Sequence, residues 1–427
     1  MVPPPRLPLP RRLAAVSVTL AAGIVAWLLA IHARMVISPA PQEMREGAVL
    51  WITRLLLEGR NPYALEELPA GANVYGILYH LIVIPLTLIA GNGFAIHRLV
   101  SGLAILGACW LMYLVLRREG TGRLLAAVGA MLYYAASVYF TGPLARPDGL
   151  AVLLSMASLA ILTAHRRGGR EERILGPASP STAALAWGLA FGLLALITKI
   201  SLAFPPFVVA AHLFLFGPRA GRARAFAYGA IAGASALALL ALMNLVYPAY
   251  VTLTFAANAQ SGFSDGEHLR RQTIDFLVFS LPVTVGLVMA AGGWMRDLGR
   301  GDAWRRARPN VFVFGAAANA AVFFIWLGWH PGAHMTYLFQ LVLPLLMPAV
   351  LPPLAHRPWP RAIVAAALPV ALVLCAPYFT WSFERFRTAE ATFARLDRVI
   401  RSHASVLGST EVAGLLARAG RPVLDSG

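Results

Sequence analysis

The fold is decided by residues 13–63, which read LAAVSVTLAAGIVAWLLAIHARMVISPAPQEMREGAVLWITRLLLEGRNPY. The part from Leu13 to Ile37 is predominantly apolar and has the length that an α-helix needs to cross a bilayer. It is too long for a signal peptide and lacks a small-residue cleavage site, so we expect an uncleaved first helix. The part from Arg45 to Tyr63 has apolar residues at helical spacing and an Asn-Pro stop, which predicts an amphipathic helix on the membrane surface.

The rest of the chain has the composition of a membrane protein. Of the 427 residues, 58% are hydrophobic and 13% are charged, which excludes a soluble globular domain. The formal net charge of +17 does not indicate nucleic-acid binding, because the arginines form short clusters between apolar segments, as expected of cytoplasmic loops. Cys109 and Cys375 lie inside apolar segments and predict neither a disulfide framework nor a metal motif.

The basic clusters predict the topology. From Arg117 onward, two apolar segments separate each cluster from the next, so that every cluster faces the cytoplasm. Three segments lie between Arg12 and Arg117, and one of them therefore does not span. We assign this role to segment 74–91, which is short and contains Pro85. The prediction is an all-α polytopic membrane protein with about 11 transmembrane helices and with juxtamembrane helices in the first outer loop, at about 38–94.

The same sorting divides the chain into two parts and places its reactive residues on one side. Residues 1–380 form the transmembrane unit, and residues 381–427 form a short extracytoplasmic tail with a helix from about Phe383 to Ser405. Ionisable groups at a membrane boundary are costly, so those on the outer face are candidates for function.

Two acidic regions stand out on this face. Glu43 and Glu46 are three residues apart, and we expect them to share a helix face, where they either solvate it or supply a general base. Asp148 follows Arg146 and Pro147 at the start of a helix, where a carboxylate either caps the helix or serves the site. The guanidinium of Arg146 has the fork geometry that suits a phosphate.

Basic and polar residues complete the candidate set. Lys199 is the only lysine among 36 basic residues and lies at a predicted outer helix end, where it either snorkels or binds a phosphate. His330 and His334 are four residues apart, but no third ligand completes a metal site, so we expect a polar binding loop there. Asn258 lies in a long outer loop that is expected to cover the site.

These features, taken in order, resemble the C-type (GT-C) superfamily of integral membrane glycosyltransferases, which includes the protein O-mannosyltransferases and the lipid A aminoarabinose transferases. The resemblance covers about Leu13 to Thr380 and depends on the order and spacing of six stretches. The stretches are REGAVLWITRLLLEGRNPY (45–63), NVYGILYHLIVIPL (73–86), HRLVSG (97–102), ARPDGLA (145–151), LITKIS (196–201) and HPGAHMTYLFQLVLPLL (330–346).

The resemblance implies a function. It implies transfer of a sugar, with inversion, from a polyprenyl-phosphate donor to a hydroxyl of a glycan, lipid or protein at the extracytoplasmic face of the bacterial inner membrane. By position, Glu46 fits the catalytic base best, with Glu43 in reserve, and Asp148 fits a second conserved acid. Lys199 resembles the lysine of a Thr-Lys motif, and Tyr337 the tyrosine of an Asn-Tyr pair. Tyr75 is a further candidate for substrate contact.

Departures from the family pattern leave the sugar undetermined. Relatives often have two adjacent acids where this chain has Arg45 and Glu46, and some have Lys and Glu where it has His330 and Gln340. No cofactor is expected beyond the lipid-linked donor, and a divalent metal lacks a supporting ligand set. The alternatives are a flippase or transporter for lipid-linked sugars, which needs polar residues deep in several helices, and a non-catalytic scaffold.

Overall fold

The computed structural model describes residues 8–65, 74–138, 144–164, 180–256, 263–298, 310–330 and 334–376, together with 391, 392, 394–400 and 402 of the tail. Regular structure in these ranges is entirely helical. The α-helices are α1 (Leu9–Ile37), α2 (Met44–Leu57), α3 (Leu78–Ala90), α4 (Phe94–Arg118), α5 (Arg123–Val138), α6 (Asp148–Leu162), α7 (Thr182–Leu196), α8 (Phe204–Phe216), α9 (Arg219–Val246), α10 (Gly266–Phe279), α11 (Leu281–Leu298), α12 (Val311–Ile325), α13 (Thr336–Leu341), α14 (Leu343–Ala355) and α15 (Pro358–Leu374).

The helices confirm an all-α chain with many apolar helices. Within the described ranges, α1, α4, α9 and the stretch Val311–Trp329 are long and apolar enough to cross a bilayer. The pair formed by α10 and α11 would be a fifth if it is one bent span, and seven further apolar helices are shorter. The count of about 11 spans stays a prediction, because it depends on how these shorter helices sit in the bilayer.

Two stretches that the sequence predicts as continuous apolar helices, 274–293 and 335–354, are broken. The first is divided at Ser280, where α10 and α11 meet at 89°. Pro282 explains the break, because proline cannot donate the backbone hydrogen bond that a continuous helix needs there. The second is divided between α13 and α14, just before Pro344.

Helices α1, α4, α5 and α6 contribute buried residues to one apolar core. α4 packs against α5 and α6, and α1 packs along α15. Inside this apolar core, the buried His32 on α1 and Tyr134 on α5 share a hydrogen bond of 2.6 Å, which satisfies two polar groups that burial would otherwise penalise. At Gly149 the first turn of α6 crosses α4 so closely that a Cβ would lie 2.7 Å from the carbonyl oxygen of Ser101.

The first outer loop folds against the helices. α2 packs on α3 and α4, and its Val49, Leu50, Ile52 and Leu55 are all buried. These residues cover more than one face of the helix, so α2 is embedded in protein on several sides. The expectation of a surface helix with one apolar and one polar face is therefore wrong for most of its length.

The start of α3 is attached to the end of α7 by backbone hydrogen bonds. The amide of Gly76 donates to the carbonyl of Thr198 (3.0 Å), and that of Leu78 donates to Ile197 (3.1 Å). A Cβ at Gly76 would overlap the Ile197 carbonyl, so only glycine permits this approach. The contact brings Tyr75 next to the segment that carries Lys199.

The described tail residues 391, 392, 394–400 and 402 are helical, within the helix expected at 383–405. The other tail residues and the remaining part of that expected helix lie outside the described residues.

The non-spanning role of α3 predicts which loops share a side of the membrane. In a background without Cys109 and Cys375, cysteines at Arg60 and Gly93 flank α3, and we expect an impermeant thiol reagent to label both in intact cells. A cysteine at Gly122, after α4, should react only after permeabilisation. Gly93 and Gly122 leave room for a Cβ, so these changes should not perturb the fold. Labelling at 122 with protection at 93 would instead show that α3 spans.

Candidate functional site

Glu46 and Arg98 form a buried ion pair between the first outer loop and α4. Both side chains are 0% exposed, and the guanidinium Nε and Nη2 donate to the two carboxylate oxygens at 2.8 and 2.7 Å. The other three N–H bonds of Arg98 go to the carbonyls of Met35, Ser38 and Ala40, at 2.7 to 2.9 Å. All five donors of the guanidinium are thus used, and they fasten the end of α1 and the turn after it to α4.

The carboxylate of Glu46 is equally occupied. Besides the two bonds from Arg98, it accepts the backbone amides of Gln42 and Ala145, each at 2.7 Å. An ionised carboxylate has about four lone-pair positions, so no acceptor position is left for the proton of an incoming hydroxyl. This geometry does not favour Glu46 as the base. It makes Glu46 the residue that joins the first outer loop to the segment carrying Arg146.

A second network links Arg146, Asp148 and Lys199. Arg146 Nε donates to Asp148 Oδ2 at 3.1 Å, and Lys199 Nζ donates to Asp148 Oδ1 at 2.6 Å. Arg146 Nη2 also donates to the hydroxyl of Tyr75, whose pKa is raised by burial. The carbonyl of Arg146 accepts the hydroxyl of Ser101 on α4 at 2.7 Å. Segments distant in sequence therefore meet at one carboxylate, and Asp148 serves the cluster rather than only capping α6.

Glu43 lies at the edge of this cluster. Its backbone is extended, and it caps α2 by accepting the amide of Arg45, so it does not share a helix face with Glu46. One carboxylate oxygen lies 4.0 Å from Arg146 Nη1, and the side chain is 18% exposed. Burial raises the pKa of Glu43 above its ordinary value, although the charges of Arg146 and Arg45 act in the opposite direction. Glu43 is therefore accessible, and its pKa is shifted towards neutral pH, as suits a general base.

Two residues of α13 complete the surroundings of Lys199. Gln340 accepts from Lys199 Nζ at 3.0 Å through its amide oxygen, and its amide nitrogen donates to Asp148 at 3.4 Å. The ammonium lies 4.7 Å from the ring centre of Tyr337, within the range of a cation–π contact. Arg146 and Asp148 are almost fully covered, whereas Lys199 keeps 12% of its side chain exposed. The accessible charged groups of the site are thus Lys199 and Glu43.

His330 and His334 lie in different surroundings. His330 packs against the rings of Phe263 and Trp326, with its ring centroid 5.3 Å from each of theirs. Burial lowers the pKa of His334 to about 4, helped by the charges of His268 and Arg146, so His334 is neutral at physiological pH. Within the described residues no group of three metal-ligating side chains occurs. Asn258 lies outside the described residues, and its role stays a prediction.

The sequence matches no protein-family model and no curated protein. The structure matches solved ones. The crystal structure of ArnT from Cupriavidus metallidurans in the apo state has a TM-score of 0.60 at 14% identity, over 95% of this chain and 85% of that one. This chain has the fold of ArnT. The crystal structure of the same protein bound to undecaprenyl phosphate matches with a TM-score of 0.56 over the same shares. ArnT is a lipid A aminoarabinose transferase of the C-type superfamily, so the predicted resemblance is confirmed for the fold.

Sequence reasoning missed Arg98 as the partner of Glu46 and treated Gln340 only as a departure from the family pattern. A signal existed for each residue. Arg98 is a charge in the second turn of a largely apolar helix, far from the basic residues at its end, and an unpaired cation there is costly. Gln340 follows Tyr337 by three residues, which places both on one face of α13.

The ion pair predicts a stability effect that separates the two glutamates. Glu46→Gln puts an amide NH₂ against the guanidinium of Arg98, and breaking a buried pair typically costs about 3–5 kcal/mol. We expect a clearly lower unfolding temperature for the purified protein in detergent. Glu43→Gln makes the same chemical change three residues earlier, keeps an oxygen for the Arg45 amide and should leave the unfolding temperature almost unchanged. Equal effects of the two variants would contradict the structural role of Glu46.

Proposed function

We propose that the chain is a membrane glycosyltransferase that moves a sugar from a polyprenyl-phosphate donor to a hydroxyl acceptor at the extracytoplasmic face. The observation that carries the proposal is the cluster of Glu43, Arg146, Asp148 and Lys199, which offers an accessible carboxylate and an accessible ammonium beside buried charges. The ArnT fold supports it, since one matching structure holds undecaprenyl phosphate.

The charges suit a phosphate leaving group. Arg146 and Lys199 contribute two positive charges and Asp148 one negative charge, which leaves +1 (2 minus 1) beside Glu43. A sugar phosphodiester carries one negative charge, and its negative charge increases as the sugar departs. Lys199 is the accessible cation and is assigned to the phosphate, while Arg146 lies behind it and orients Asp148 and Tyr75. Fixed cations of this kind stabilise charge that develops in the transition state.

The proposed reaction uses Glu43 as the base. The hydroxyl oxygen of the acceptor attacks the anomeric carbon of the sugar, and its proton passes to the Glu43 carboxylate. The bond between that carbon and the phosphate oxygen breaks, its electrons stay on the phosphate, and polyprenyl phosphate leaves. Attack opposite the leaving group gives inversion. Glu43 replaces Glu46 in this role because, within the described residues, its carboxylate accepts one hydrogen bond, from the Arg45 amide, whereas the Glu46 carboxylate accepts four.

The base assignment predicts the kinetics of Glu43→Gln. Turnover should fall by about two to four orders of magnitude, the usual range for a lost general base, because the amide cannot take the proton. Donor binding should persist. Radiolabelled transfer from polyprenyl-phosphate sugars to a lipid or glycan fraction, with purified protein in nanodiscs, measures both. Unchanged turnover would remove Glu43 from the mechanism. If the wild-type protein moved the lipid-linked sugar across the bilayer but transferred no sugar, the result would favour the flippase.

The phosphate assignment predicts a pair of binding defects. Lys199→Ala should weaken equilibrium binding of undecaprenyl phosphate by about ten- to a hundredfold, since it removes a charge-assisted contact. Gln340→Glu leaves Lys199 in place but adds a negative charge about 3 Å from its ammonium, so it should weaken binding similarly. Lys199→Arg should recover part of the affinity. If Lys199→Ala binds normally, Lys199 is a boundary residue; if only Gln340→Glu binds normally, the net charge does not matter.

A further inference from the structure

A second cleft lies where the start of α7, the end of α8 and the start of α9 meet. Its walls include the apolar side chains of Leu185, Leu213 and Ala225, and its polar lining comes from Arg224 and Tyr228. None of the residues of the candidate active site belongs to it. The arginines around it form the cluster 219–224, which the predicted topology places at the cytoplasmic face.

Tyr228 lines this cleft, and its unsatisfied hydroxyl suggests that a ligand binds there. Tyr228 is only 6% exposed, and within the described residues its hydroxyl has no hydrogen-bond partner. A buried hydroxyl without a partner is costly, and the large majority of buried polar atoms are paired. The phenol oxygen is both a donor and an acceptor, so a ligand with oxygen acceptors would satisfy it.

The charges around the cleft select an anion. Arg224 donates through Nη2 to the carbonyl of Pro180 (3.2 Å) and to the hydroxyl of Thr182 (3.1 Å), which holds its guanidinium across the start of α7. α9 begins at Arg219, runs for 28 residues and has neither a side-chain cap nor an acidic residue in its first turn. The positive end of its dipole therefore adds to the arginines and favours a negative ligand.

The apolar surroundings select a lipid rather than a soluble anion. Phe214 on α8 and Phe226 on α9 are both exposed, and their ring centroids are 6.2 Å apart. α9 as a whole exposes most of its apolar residues and is long enough to span a bilayer. A headgroup in the cleft would thus continue into acyl chains along a surface that is already apolar.

We propose that this cleft binds an anionic phospholipid of the cytoplasmic leaflet, with its phosphate between the Tyr228 hydroxyl and the Arg224 guanidinium. The proposal is independent of the transfer reaction. It makes this end of α7, α8 and α9 a lipid-binding surface that ties their packing to the composition of the inner leaflet.

Native mass spectrometry of the purified full chain tests the proposal with phosphatidylglycerol as the probe and phosphatidylethanolamine as the zwitterionic comparison. We expect one tightly bound phosphatidylglycerol per chain. Tyr228→Phe keeps the ring and removes only the hydroxyl, and Arg224→Gln removes one charge. Each should weaken this binding by about tenfold or more, the usual effect of losing a hydrogen bond to a charged group.

Arg222→Gln is the matched control, because it removes the same charge at the same helix end but does not line the cleft. It should weaken binding clearly less than Arg224→Gln, and unfolding temperatures should show that all variants fold. Wild-type binding by Tyr228→Phe would overturn the proposal, as would equal losses in the two arginine variants, which indicate diffuse attraction of anionic lipid. Displacement of the lipid by millimolar inorganic phosphate would show that the cleft selects a soluble anion.

Discussion

The pairing of Glu46 with Arg98 is the interaction on which the rest of the site depends. Two opposite charges are fully buried, and they are tolerable there only because each of their donors and acceptors is satisfied. Four partners of this pair are backbone groups of residues 35–42, in the last turn of α1 and the segment that follows it. A fifth partner is the amide of Ala145, immediately before Arg146. The pair thereby holds the first outer loop, α4 and the start of α6 in one arrangement. Removing either charge would release all three.

The second network extends this arrangement to the chemically accessible groups. Arg146 is held from behind by Ser101 and Tyr75, and Asp148 then fixes Lys199, which comes from another part of the chain. The close approach at Gly76 supplies the remaining constraint, because it sets Tyr75 against the end of α7. A site assembled from loops becomes rigid in this way, and a fixed charge arrangement need not reorganise when a substrate's charge changes.

The sequence predicts the helical class and singles out Asp148, Arg146 and Lys199 as candidates, because charge is rare in this chain and its position is informative. It does not predict which of Glu43 and Glu46 is buried in an ion pair and which stays accessible. The spacing of three suggests a shared helix face, but α2 begins only at Met44, and Glu43 takes an extended backbone as its cap. The difference also depends on Arg98, 52 positions away from Glu46, and no local pattern encodes that pairing. The bend at Ser280 is also missed, because the apolar pattern of the sequence continues through it.

The placement of the polar groups favours an enzyme over a transporter. Glu43 precedes α2, Arg146 precedes α6, and Lys199 follows α7, so these charges lie at helix ends rather than along the interior of spans. A carrier that alternates its access needs a polar path through the middle of the bilayer. Several polar side chains within the described helices are instead joined to another side chain or to a carbonyl, as His32 is to Tyr134 and Asn319 is to the Leu341 carbonyl. Such internally paired groups hold helices together, whereas Glu43, Arg146 and Lys199 lie at helix ends, as the proposed transfer from a lipid phosphate to a hydroxyl requires.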